Sequence, residues 1–177
     1  MKRLGLISVL AIMVIGLWAL AASAATQTTF DPAAAPTGTH VQSGTVTCTV
    51  DSSTSLVTCS TYELAGVGNA NATATLAATY TATVQCRNHG GQIVDVKSQA
   101  EAAPTSTGSL SPKNGRLSVP ALNSGPVPSA SDFERQATCP NGNWTKELLD
   151  GTVALSSFTY TLHFRGFTGN YITITGP

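Results

Sequence analysis

Apolar and polar residues alternate with a period of two from Ala72 to Cys86, ATATLAATYTATVQC. The even positions, Ala72, Ala74, Leu76, Ala78, Tyr80, Ala82, Val84 and Cys86, are apolar. The odd positions are threonine except for Ala77 and Gln85. Successive side chains of a strand point to opposite faces, so this run predicts one long strand with a single buried face, and Cys86 falls on that face. The pattern returns near the C-terminus: Phe158, Tyr160, Leu162 and Phe164 share one face, and Thr159, Thr161 and His163 share the other.

Shorter alternations fill the intervals. Val46, Cys48 and Val50 predict a strand, Asp51-Ser52-Ser53-Thr54 supplies turn residues, and Leu56 to Leu64 reads as the return strand. Gly66-Val67-Gly68-Asn69 and Asn88-His89-Gly90-Gly91 are turn sequences flanking the long strand. Gln92 to Ser98 reads as strand, and Gln99 to Gly108 as loop. Lys113-Asn114-Gly115-Arg116 is the strongest hairpin signal, because Asn-Gly adopts the positive φ angles of a type I′ turn. Leu117 and Val119 continue as a strand that Pro120 keeps short or at an edge. Ala130 to Gln136 fits a short helix or a strand, and Tyr171 to Thr175 is the last strand. Seven or eight strands, with turn signals between most of them and no convincing helix, predict an all-β antiparallel sandwich, Ig-like in architecture.

The N-terminus departs from this pattern. Lys2 and Arg3 precede an apolar run from Leu4 to Leu20, and Ala22-Ser23-Ala24 is a small-residue cleavage site. Residues 1–24 are therefore expected to be a signal peptide. Residues 25–39, with two prolines and no period, read as a flexible leader, and residues 40–177 as the sandwich domain. Cleavage would leave seven Lys and Arg against nine Asp and Glu, a net charge of about minus two. That balance argues against nucleic acid, which calls for a basic face, and against a membrane partner after cleavage.

All four cysteines follow the cleavage site, and an even count in an exported chain implies two disulfides. Three pairings are possible. A hairpin centred near Ser53 and Thr54 puts Cys48 opposite Cys59, which leaves Cys86 for Cys139.

Catalytic motifs are absent: there is no Gly-x-Ser-x-Gly elbow, no His-Glu-x-x-His and no phosphate-binding glycine loop. No enzymatic activity and no cofactor are expected. The close carboxylate pairs, Asp132 with Glu134 and Glu147 with Asp150, read as solvated loop charge. Cys86-Arg87-Asn88-His89 has metal-ligand character, but disulfide formation removes its thiolate, so no metal is expected. A bridge from Cys86 to Cys139 brings the Asn88-His89 turn towards Asn141, Asn143 and Trp144, the one tryptophan beyond residue 24. Amides beside an aromatic face suit a sugar or a peptide. The plainer reading is that Trp144 covers the disulfide and the asparagines cap turns.

The run CSTYELAGVGNANATATLAATYTATVQCRNHGG, together with CPNGNWT, resembles small secreted two-disulfide proteins of high-GC Gram-positive bacteria. The resemblance covers most of the chain beyond residue 24. It implies bacterial export and a two-disulfide framework, and it carries no site residues. Size and composition are also similar to those of the secreted sandwich apoproteins that carry enediyne chromophores, although the cysteine spacing differs. That likeness is one of fold alone. Three functions fit: a secreted binding module for a cell-wall sugar or a protein, a secreted inhibitor of an extracellular hydrolase, and an envelope protein assembling through exposed strand edges.

Overall fold

The computed structural model describes residues 26–177; the expected signal peptide lies outside the described residues. Strand β1 (Gln27–Phe30) pairs antiparallel with the C-terminal strand, Thr28 opposite Ile174 and Phe30 opposite Ile172. The flexible leader expected over residues 25–39 is therefore corrected, since its first part is a sheet strand. Its anchors are local. The Phe30 ring meets Tyr171 edge-on with centroids 5.8 Å apart, and the Asp31 N–H donates to the Tyr171 carbonyl at 2.9 Å. The Asp31 carboxylate then accepts from the Ala33 N–H, opening a single 3-10 turn that buries Ala34 and Ala35. Two small side chains suffice there, so the segment carries no hydrophobic period.

Strands β2 (His40–Gly44), β3 (Cys48–Val50), β4 (Val57–Cys59) and β5 (Tyr62–Ala65) follow. The expected return strand from Leu56 to Leu64 is broken at Ser60 and Thr61, and its halves join different sheets. The Ser60 hydroxyl donates to the carbonyls of Thr45 and Thr47, while Thr61 Oγ1 donates to the Val119 carbonyl at 2.9 Å. Each residue gives the backbone a side-chain partner where the ladder would otherwise continue.

The long strand, β6 (Ala72–Arg87), is continuous over sixteen residues, and its even positions are all buried. β7 (Ile93–Glu101), β8 (Thr105–Ser106) and a single bridge from Leu110 to Ala72 run along one of its edges. The expected loop from Gln99 to Gly108 thus begins in strand, with Gln99 to Glu101 in β7, and holds the short strand β8 within it. Asn114 and Gly115 have φ of 53° and 72°, the type I′ turn that their sequence predicts, and they lead into β9 (Arg116–Val119). β10 (Leu122–Asn123) and helix α1 (Ala130–Gln136) precede β11 (Thr145–Leu148), β12 (Ala154–Phe164) and β13 (Ile172–Gly176).

The fold is an all-β antiparallel sandwich. Seven strands form the large sheet, with β1, β13, β12 and β6 side by side; β11 continues along the β12 edge of β6, and β7 and β8 lie along the other. The facing layer is divided into β2-β5-β9 and β10-β4-β3. Among the described residues thirteen strands stand against the seven or eight expected, because several span only two to four residues and carry no readable alternation.

Between the layers lie Tyr80, Tyr160, Phe158, Phe164, Leu64 and Leu117, each at most 2% exposed. The outer face of the large sheet is rich in hydroxyls. Thr29, Thr173, Thr161, Thr75 and Ser106 stand in one row across five strands. This division of faces follows the threonine alternation of β6 and β12.

Candidate functional site

Cys48 is bonded to Cys59 and Cys86 to Cys139, the pairing that the strand pattern selects. Asp51 N–H donates to the Leu56 carbonyl and Ser60 N–H to that of Thr47, which leaves Cys48 and Cys59 as a non-hydrogen-bonded pair between them. Their Cα atoms are 4.0 Å apart. The bridge is therefore a product of hairpin register.

The second bridge builds one end of the molecule. Beyond Thr81, the inner face of β6 is covered by α1, whose Phe133 is fully buried. Ser98, on β7 opposite Ala82, donates its hydroxyl to the Phe133 carbonyl at 2.6 Å. At the start of α1 the Asp132 carboxylate accepts from the Ser129 hydroxyl and N–H, which holds its pKa below the usual aspartate value; Arg135 pairs with it at 2.7 Å. The Glu134 carboxylate accepts from the Leu148 N–H at 3.1 Å, fastening the helix to β11. Two of the carboxylates expected to be solvated loop charge are thus structural acceptors.

β11 lies against the end of β6, with Thr145 opposite Arg87 and Lys146 opposite Cys86. Lys146 shares the face of the disulfide and donates Nζ to the Ala137 carbonyl at 2.6 Å, at the C-terminal end of α1. The helix end, Cys139 and β11 border an open groove of about 340 Å³. Trp144 lies half-buried in its wall, with Ala137, Thr138, Cys139, Asn141 and Lys146 around it.

The residues expected at this end divide into two groups. Asn141 and Trp144 line the groove together. Asn143 is exposed, and its N–H donates to the Asn141 side-chain oxygen at 3.0 Å, closing a tight turn. Asn88 and His89 stand on the turn after β6 and do not line the groove. The Asn88 amide is committed to its own turn, accepting from the Gln92 N–H at 2.9 Å and donating to the Gln92 side chain at 2.8 Å. Lys146 was not among the expected residues. The alternation Thr145-Lys146-Glu147-Leu148 could have placed it inward beside Leu148, but a lysine in a short run suggests solvent.

Cys86 and Cys139 offer no thiolate, and among the described residues no cluster of three His, Cys, Asp or Glu could hold a metal ion. No helix among them is long and apolar enough to cross a membrane. A larger depression, about 410 Å³, lies between β7 and α1 and is lined by Thr79, Gln99, Ala100, Glu101, Asp132, Arg135 and Gln136. It has no aromatic wall, and its one cation, Arg135, is already paired with Asp132. The groove at Trp144 has the better chemistry for a ligand: an indole face, an amide and carbon surface beside a disulfide-anchored wall. Compared with known protein families, curated proteins and solved structures, the chain matches none.

Proposed function

We propose that this chain is an exported, non-enzymatic binding module of Ig-like architecture that takes a glycan of the cell envelope at the Trp144 groove. The observation that carries the reading is the half-buried indole beside Asn141 in an open groove whose wall is anchored by the Cys86–Cys139 bridge. An indole face stacks on the C–H surface of a sugar ring, and an amide both donates and accepts with its hydroxyls. No carboxylate lines the groove, and the Lys146 ammonium, which gives one N–H to the Ala137 carbonyl, keeps its charge and two further donors for sugar hydroxyls or an acidic substituent. Two disulfides and the signal-like segment from Lys2 to Ala24 support export, as does the resemblance to small secreted proteins of high-GC Gram-positive bacteria.

The inhibitor reading has less support. An inhibitor loop is expected to offer extended backbone to a hydrolase, whereas the segment after Cys139 is curled by the Asn141 turn. The test is retention of the protein, cleaved after Ala24, on purified cell-wall polysaccharide, with culture proteins as the competing bait. Retention on polysaccharide, relieved by soluble fragments of it, is expected. Retention only on a secreted hydrolase, with loss of that enzyme's activity, would replace this reading with the inhibitor.

A further inference from the structure

The long edge of β7 pairs with nothing among the described residues. On its other side β7 is bonded to β6, and the direction of each backbone group follows from the register. Asn88 N–H donates to the Gln92 carbonyl and Ala102 N–H to that of Ala78. Even-numbered residues of β7 therefore point their N–H and C=O groups at β6, and Ile93, Asp95, Lys97, Gln99 and Glu101 point theirs outward. Ile93 and Val94 are among the few exposed large hydrophobic residues, at 47% and 40%. An open edge of nine residues carrying two exposed aliphatic side chains is a surface that natural sheets ordinarily cover.

We propose that this edge is covered by the β7 strand of a second copy of the chain, antiparallel about a two-fold axis at Val96. The outward backbone groups restrict the pairing to registers that place odd residues opposite odd residues. Charge then selects among them. Centred on Val96, Asp95 of each copy faces Lys97 of the other, giving two cross-strand ion pairs. Centred on Asp95 or Lys97, the nearest alternatives, the axis brings two like charges together. The selected register makes about eight backbone hydrogen bonds between Ile93 and Gln99 of the two copies.

The same register finds a place for the exposed aliphatic residues. Ile93 of one copy comes opposite Gln99 of the other, a residue lining the 410 Å³ depression between β7 and α1. Val94 comes opposite Ser98, beside the helix that Ser98 holds. The interface is isologous, so the two large sheets join into one across the axis.

The test is sedimentation of the protein, cleaved after Ala24, at concentrations up to about 1 mM, the weak end of specific association. A dimer is expected. Lys97→Asp and Asp95→Lys each place like charges opposite one another twice, and each should weaken dimerisation about tenfold or more. The double variant Asp95→Lys/Lys97→Asp restores complementarity in the same register and should dimerise like the parent. An equimolar mixture of the two single variants should form heterodimers. Circular dichroism and thermal melts of every variant establish that the fold persists. A parent that stays monomeric would overturn the proposal and make Lys97 a guard of the edge. A dimer indifferent to both reversals, or reversals that neither the double variant nor the mixture rescues, would overturn it equally.

Discussion

The hydroxyl oxygens of Tyr62 and Tyr160 lie 2.8 Å apart, one on each layer of the sandwich, in the buried space between them. Tyr62 belongs to the small β2-β5-β9 sheet and Tyr160 to the large one. Burial pushes both phenols above the ordinary tyrosine pKa, and for Tyr62 the nearby Tyr160 adds to the effect, so both stay protonated. Each hydroxyl provides the other's hydrogen-bonding partner.

This mutual dependence gives the first prediction. Tyr62→Phe and Tyr160→Phe should each cost about 1 to 3 kcal/mol, because each leaves a buried hydroxyl unpaired. The double variant should cost clearly less than the sum, since neither hydroxyl remains. Denaturant melts of the three variants measure the coupling. Additive losses would mean that the two hydroxyls are satisfied independently.

The two bridges should differ in weight. Cys48 and Cys59 are 11 residues apart in sequence, and Cys86 and Cys139 are 53 apart. On the chain-entropy account the shorter loop contributes about 2.8 kcal/mol and the longer about 4. Paired Cys→Ala variants, melted in denaturant, should rank in that order. The longer bridge also holds the end of α1, so its loss should raise amide hydrogen exchange in α1 at denaturant concentrations where the β3–β4 hairpin stays protected.

Acid should loosen the β3–β4 turn as pH falls towards 2. The Asp51 carboxylate accepts first from the Ser53 hydroxyl, then from the Thr54 and Ser53 N–H groups, and its pKa falls from 3.8 to about 2. A carboxylate with a depressed pKa stabilises the fold above its unfolded value, and that contribution is lost as pH falls through the folded one. Carboxyl carbon NMR should show Asp51 titrating near 2, with the Ser53 and Thr54 amide shifts moving alongside. A midpoint near 3.8 would mean that the turn is not held this way.

Much of this architecture is legible in the chain, and the gaps have physical causes. The alternation of β6 and β12 is long enough to establish strand, face and buried set, and the hairpin symmetry about Ser53 yields both disulfides. The division at Ser60 and Thr61 is hidden because it depends on carbonyls at Thr45, Thr47 and Val119, some of them distant in sequence. β1 is hidden because it is stabilised by β13 and Tyr171, more than a hundred residues away. The sequence of α1, Ala130 to Gln136, fits a helix or a strand. Its burial rests largely on Phe133, while Asp132 and Glu134, which mark it as a capped and tethered helix, look like ordinary surface charge. At the candidate site, the Cys139 loop and Trp144 are visible as a disulfide-linked aromatic. The departure of Asn88 into its own turn depends on Gln92, a residue with no apparent role in the sequence pattern.

The Trp144→Ala variant tests the binding account most directly, with retention on cell-wall polysaccharide and a denaturant melt measured on the same preparation. If the half-buried indole is the stacking face of the groove, binding should fall at least about tenfold, as for a typical aromatic anchor, while the unfolding midpoint stays close to that of the parent. If the indole only packs over the Cys86–Cys139 bridge, the variant should lose about 3 to 5 kcal/mol of stability, the range for truncating a buried large aromatic. That loss, or binding unchanged at unchanged stability, would contradict a ligand site at Trp144.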